Sequence, residues 1–260
     1  MVLEIYPFQS GKISAFIIMA IMFALTIYYM RRKELPYIRR VAAIDAVDQA
    51  IGRATELGKP IVCSVGVSNP GTSTMAALSV LQYVSRACVR NDVDVLVPLG
   101  GSENYTTHEL AREVVETQYR LEGKPERYNP DHLPFLSARQ FSWASAYVGM
   151  LIRTKAAANI LMGGQLASAV YMAEVANSIG CLQISTAGYL SNIACLAVAS
   201  DYIMIGEEAM AAGAYLSKDT VQLASIKTQD IMKYFEILAI VAGTLLTTFG
   251  IDIVKTILTT

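Results

Sequence analysis

The stretch Pro60-Ile61-Val62-Cys63-Ser64-Val65-Gly66-Val67-Ser68-Asn69-Pro70-Gly71-Thr72-Ser73 decides how the rest of the chain is read. Ile61 to Val67 is a short apolar run, the pattern of a strand buried on both faces. A loop of Ser, Asn, Pro and Gly follows, and Thr72 to Arg90 then reads as a helix. Upstream, Ile44 to Leu57 is amphipathic. Ile44, Val47, Ile51, Ala54 and Leu57 share one face, while Asp45, Asp48, Arg53 and Glu56 face away. Gly58 stops this helix and Pro60 forbids its continuation. Helix, buried strand, loop and helix in that order are the opening of a parallel α/β unit.

The alternation continues outward. Val93 to Val97, Asn159 to Met162, Cys181 to Ser185 and Asp201 to Ile205 read as further strands. Helices are expected at Thr107 to Leu121 and over 138–153, 165–178, 189–198 and 208–217. The stretch 123–137, with Pro125, Pro130 and Pro134, breaks the pattern and is expected to cross the surface as irregular chain. Continuous apolar strands separated by helices predict an α/β fold: a Rossmann-like, mostly parallel sheet with helices on both faces.

Two apolar segments bracket this unit, and transmembrane helices are expected to flank it on both sides. Ile13 to Met30 would rise about 27 Å as a helix, close to a hydrocarbon core of about 30 Å. Tyr28 and Tyr29 sit at its end, and Arg31, Arg32, Lys33, Arg39 and Arg40 follow. A cleaved signal peptide would carry its positive cluster first and an A-x-A site after, so a retained span is expected. The basic residues place the α/β unit in the cytoplasm and the N-terminus outside. Ile237 to Ile251 is shorter and crosses only if it runs on towards Leu258; Lys227 and Lys233 before it suit a cytoplasmic start. The domains expected are 1–33 as N-terminal anchor, 34–233 as cytoplasmic α/β domain and 234–260 as C-terminal transmembrane helix, with both termini outside. Ala20 and Ala24, and Ala239, Gly243 and Thr247, recur at the four-residue spacing that lets membrane helices approach closely.

Composition agrees with a globular unit plus few spans. The 260 residues are 53% hydrophobic and 17% charged, with mean hydropathy +0.40. A soluble domain carries about 25% charged residues. This chain is too apolar for a disordered or tail-like protein and too polar to be membrane throughout. A net charge of -1 and a pI near 6.2 give no electrostatic footprint for nucleic acid. The cysteines Cys63, Cys88, Cys181 and Cys195 lack C-x-x-C spacing and lie in apolar segments. They are expected to be buried thiols in a reducing compartment, and no metal or other cofactor is expected.

Ligands of open parallel sheets bind beyond the carboxyl ends of the strands. There the loops offer Asn69, Gly71, Thr72 and Ser73; Gly101, Ser102 and Glu103; Gly164; and Glu207. These nine are the candidate ligand-binding residues. The same residue types are what ordinary strand-to-helix turns require. Gly66 to Ser73 has the glycine spacing of G-x-x-x-x-G-K-[ST], but Thr72 stands at the lysine position. Val93 to Val97 runs into Pro98 rather than an acidic residue, so an NTPase is not expected. The fingerprints G-x-G-x-x-G and G-x-S-x-G are absent. His108 reads as a solvated first-turn residue and His132 as a turn residue. Glu207 and Glu208 are favoured at a helix start by the dipole alone. Trp143 and the tyrosines at 147, 171, 189, 202 and 215 read as packing residues. No catalytic residue is assigned.

Several short pieces together carry a family resemblance. They are Arg53 to Pro60, Tyr128-Asn129-Pro130-Asp131, Ala156-Ala157-Ala158-Asn159, Asp201-Tyr202, Ile205 to Glu208, Ala214 to Ser217 and Lys227 to Asp230. The chain resembles the DUF6754 family over roughly 35–250. The resemblance implies an uncharacterised prokaryotic membrane protein with a cytoplasmic domain, so a plasma-membrane location, and it supplies no activity. Two functions are therefore expected in order. The first is a non-catalytic assembly or scaffold subunit that forms a homo-oligomer or joins other membrane subunits, with the lipid bilayer as a partner and no nucleic acid. The alternative is a small-molecule-binding or enzymatic domain using the strand-end crevice. Charged residues are nearly absent from the spans, so an ion route is not expected.

Overall fold

A computed structural model of the chain describes residues 10–32, 42–67, 69–164, 168–187 and 190–249. The chain divides into two units, Arg39–Lys218 and the pair Met1–Ile38 with Asp219–Thr260. The elements in chain order are α1 (Ser10–Met30), α2 (Ala42–Leu57), β1 (Ile61–Ser64), α3 (Thr72–Arg90), β2 (Val95–Leu96), β3 (Leu99–Gly100) and α4 (Tyr105–Leu121). There follow β4 (Phe135–Ser137), α5 (Gln140–Thr154), β5 (Ala158–Leu161), α6 (Ser168–Ser178), β6 (Leu182–Ala187), α7 (Leu190–Ala199), β7 (Tyr202–Ile205), α8 (Glu208–Ser217) and α9 (Thr220–Thr248).

Five strands pair in the order β2-β1-β5-β6-β7, and every pairing is parallel. The register runs Val62↔Leu96, Cys63↔Ile160 and Ile160↔Ile184. The chain leaves β1 towards one edge and later returns beside it as β5, so the direction of winding reverses between these two strands. This is the second common doubly wound order, not the 3-2-1-4-5-6 order of a dinucleotide-binding Rossmann sheet. The period-two alternation of a strand sends its side chains to two separate cores. Ile61, Cys63, Ala158, Ile160 and Met162 join α2, α3, α4 and α8. Val62 and Leu161 join α5, α6 and α7. Helices therefore cover both faces, as expected for continuous apolar strands.

The structure corrects several boundaries. β1 ends at Ser64, because Gly66 at φ +87° turns the chain out of the sheet. The strand expected at Val93 to Val97 contributes only Val95–Leu96 to the main sheet. Beyond Pro98, Leu99–Gly100 pairs with β4 as a separate two-stranded sheet. The stretch expected to be irregular thus contains β4 and two 3-10 turns, Pro125–Arg127 and Pro130–His132. Leu57 is exposed, not in the core face of α2. Residues 165–167 and 189 of two expected helices, and 188 of an expected loop, lie outside the described residues.

In the other unit, α1 and α9 pack on each other. Thr26 Oγ1 donates to Thr228 Oγ1 at 3.2 Å, and Thr228 is 1% exposed. Of the five small residues at four-residue spacing, only Gly243 is buried. Among the described residues one helix, α9, is long and apolar enough to cross a membrane; Phe16–Met30 is a shorter apolar stretch. The expectation of a span on each side is thus not met: among the described residues only α9 has the length and composition for one. The boundary expected between 233 and 234 falls inside α9, which is continuous from Thr220.

Candidate functional site

The carboxyl ends of β1 and β5 flank the point where the winding reverses, the usual ligand crevice of such sheets. Among the described residues that point is a contact of backbone on backbone. Val67 N–H donates to the Gly164 carbonyl at 3.0 Å. A Cβ on Gly163 would lie 2.0 Å from the Val65 oxygen, and one on Gly66 2.7 Å from the Gly164 nitrogen. Both glycines have positive φ, +78° and +87°. Only glycine meets both conditions, so these positions are set by close approach of two loops.

The β3 end joins the same contact. Gly101 N–H donates to the Ser137 carbonyl at 2.7 Å. A Cβ on Gly101 would lie 2.3 Å from Val67 Cγ1 and 3.0 Å from the Trp143 ring. Trp143 is 1% exposed, and its Nε1–H donates to the Pro98 carbonyl at 3.0 Å. The indole therefore locks the loop that carries Gly100 and Gly101. Gly101 and Gly164 are brought together around Val67.

The other candidate residues are distributed elsewhere. Asn69, Gly71, Thr72 and Ser73 cluster at the start of α3, where Gly71 is the N-cap and no side chain caps the helix. Asn69, Gly71 and Thr72 are exposed there. Ser102 Oγ accepts from the Asn104 N–H at 3.4 Å, so it serves its own turn, and Glu103 is exposed. Glu207 is exposed at the N-cap of α8. It follows β7, three strand spacings or about 14 Å from β1.

His108 is a correction. It is 3% exposed, not solvated. Its ring lies 5.4 Å from Phe135 and 6.1 Å from Tyr105, and it hydrogen-bonds the Gly100 backbone. Its Nδ1 has no partner among the described residues. Burial pulls its pKa below the ordinary histidine value, against the Gly100 hydrogen bond, which raises it. The sequence could not show this, because the covering ring comes from β4, an element with no periodic signal. His132 closes its 3-10 turn as expected. Among the described residues no group of three His, Cys, Asp or Glu side chains could hold a metal ion.

A buried polar row crosses the sheet beneath α5. Tyr147 O–H donates to Asn159 Oδ1 at 2.6 Å, Asn159 Nδ2 to Gln183 Oε1 at 3.2 Å, and Ser200 Oγ to Ser185 Oγ at 2.7 Å. Gln183 N–H donates to Asp201 Oδ2 at 2.8 Å. Burial drives the Tyr147 phenol well above its ordinary pKa. Every group in this row has a partner, which fits a device that fixes strand register, not a reactive centre.

The outer surface of the same face is unlike an ordinary solvated helix. α7 contains no charged residue. Ala194, Cys195, Ala197 and Val198 are exposed, Val198 at 86%. Cys195 therefore departs from the expectation that all four cysteines are buried. Cys63, Cys88 and Cys181 do fit it, and burial pushes each thiol up to about 12. Next to α7 in sequence, β7 forms an edge of the sheet, and its Ile205 is exposed.

The model of the family described as a domain of unknown function (DUF6754) matches residues 4–258, nearly the whole chain, and the chain belongs to that family. No curated protein and no solved structure matches it.

Proposed function

We propose that this DUF6754 protein is a membrane-anchored, non-catalytic assembly subunit whose α/β unit associates with further copies of the chain or with other subunits of a membrane complex. The observation that carries this reading is α7, a charge-free helix with its outer face uncovered. Burying one exposed valine or leucine side chain is worth about 1.5–3 kcal/mol, and a solvated helix face ordinarily carries charge. The neighbouring edge strand β7 has no charge or proline between Tyr202 and Ile205, the residues that usually guard an edge.

The anchor reading rests on α9, an apolar helix with 6% of its most apolar window buried. Arg31 and Arg32 after α1 favour a cytoplasmic α/β unit and a second span through α1, with both termini outside. Confinement to a plasma membrane raises effective concentration and favours association. Extraction in mild detergent followed by native mass measurement tests the proposal. A particle of two or more 28.2 kDa chains, reduced to one by Val198→Glu, is expected. A single wild-type chain without partner would refute it.

The second reading, a ligand at the strand ends, is favoured by one feature. Gly71 and Thr72 at the start of α3 are exposed and Gly71 supplies no side-chain cap, which leaves the first backbone N–H groups for an anion. A thermal-shift screen of nucleotides, sugar phosphates and carboxylates on the full chain separates it from the first.

A further inference from the structure

At the opposite, amino-terminal end of the sheet lies a cavity of about 300 Å³. That is the lower end of the usual ligand-site range of about 300–1,000 Å³. Arg53, Lys59 and Lys155 supply three cations to its lining, and Leu57, Ile152 and Ile179 supply an aliphatic wall. Among the described residues no carboxylate lines it. All three aliphatic side chains are among the exposed large hydrophobic residues.

Local structure explains why the cations meet. α2, α5 and α6 all end here, and Gly58, Lys155 and Gly180 turn the chain out of each helix at φ +60°, +48° and +69°. Helix carboxyl ends attract cations, which accounts for part of the cluster. Arg53 Nη2 donates to the Gly180 carbonyl at 2.8 Å in that role. Each helix end carries about half a negative charge, so three ends offset about 1.5 of the three positive charges. Neither the Lys59 nor the Lys155 ammonium has a hydrogen-bond or ion-pair partner among the described residues. Arg53 and Lys59 both act on the nearby Cys181 thiol, and so does Asp201, whose carboxylate accepts from Gln183 N–H. Asp201 is not a lining residue, so the lining itself keeps a positive excess.

We propose that this cavity binds a phosphomonoester carried on a short aliphatic body. A phosphomonoester bears about 1.5–2 negative charges at neutral pH, the complement of the residual charge. Its oxygens face Lys59, Lys155 and the free nitrogens of Arg53, and its hydrocarbon lies on Leu57, Ile152 and Ile179. The site is separate from α7 and does not depend on the assembly proposal.

The test is calorimetric titration of the full chain in neutral detergent with hexyl phosphate, hexanol and inorganic phosphate. Saturable binding of one hexyl phosphate per chain, at least tenfold tighter than hexanol or inorganic phosphate, is expected. The double variant Lys59→Gln/Lys155→Gln weakens it at least tenfold, and Arg139→Gln, at the far end of α5, leaves it unchanged. Equal binding of hexanol, or no loss in the double variant, overturns the proposal. Competition by phosphatidic acid in phosphatidylcholine vesicles then assigns a lipid headgroup as the source, and its failure assigns a soluble ester; either result keeps the site.

Discussion

The two ends of the parallel sheet are built on opposite plans. At the carboxyl end, Gly66 and Gly163 let two loops meet backbone to backbone, and Gly101 lies against the Val67 side chain and Trp143, whose ring seals the β3 loop. At the amino end, Gly58 and Gly180 turn the chain into open space, with nothing within 4 Å of a Cβ at either position. Glycine serves packing at one end and only the reversal of a helix at the other. Among the described residues, the point where the winding reverses is a contact between two loops, while the less expected end holds a cavity.

Four tests break or sharpen this contrast. Trp143→Ala removes the seal, and denaturant unfolding should show a loss of about 3–5 kcal/mol, as for other buried tryptophans. A loss below about 1 kcal/mol would mean that the loops hold without it. Gly163→Ala forces a methyl group onto the Val65 oxygen in a left-handed conformation, and a cost of about 2–3 kcal/mol is expected. Gly58→Ala has the same backbone strain without the overlap, so only about 1 kcal/mol should be lost. Equal costs at the two positions would erase the distinction.

The third way is pH. The folded pKa of His108 lies below its unfolded value, so the unfolded chain takes up the proton first. The contribution is fully present above the unfolded value of about 6.5 and is lost as pH falls from there through the lowered folded value. Thermal unfolding from pH 8 to 5 should show this slope, and His108→Gln should flatten it. The smallest effect belongs to the amino end. Lys59→Gln/Lys155→Gln should change stability by no more than about 0.5 kcal/mol by the same unfolding measurement, because neither ammonium has a hydrogen-bond or ion-pair partner among the described residues.

The parallel sheet was legible wherever a strand is an apolar run, as at Ile61 to Ser64 and Ala158 to Leu161. It was least legible where pairing depends on distant chain. Phe135–Ser137 has no periodicity, and it becomes a strand only because Leu99 and Gly100 lie beside it. His108 was misjudged for the same reason. Of the candidate site, the glycines at 101 and 164 lie where loops meet, and spacing along the chain cannot tell a phosphate cradle from such a contact. The cavity formed by Arg53, Lys59 and Lys155 was hidden altogether, since α2 and α5 are far apart in sequence. A cationic residue near a helix end looks the same whether it caps that helix or serves a site. The uncovered face of α7 was foreshadowed only by an excess of apolar content beyond the two terminal apolar segments.

The central claim is that copies of the chain meet through α7, and Cys195 measures it directly. It is the exposed thiol among the four cysteines, and it sits beside Ala194 and Val198 on that face. Treatment of native membranes with a short bis-maleimide should yield a species at twice the 28.2 kDa chain mass, absent in Cys195→Ser. A thiol that a monofunctional maleimide labels fully, yet that yields only the single-chain species with the bifunctional reagent, would contradict the account.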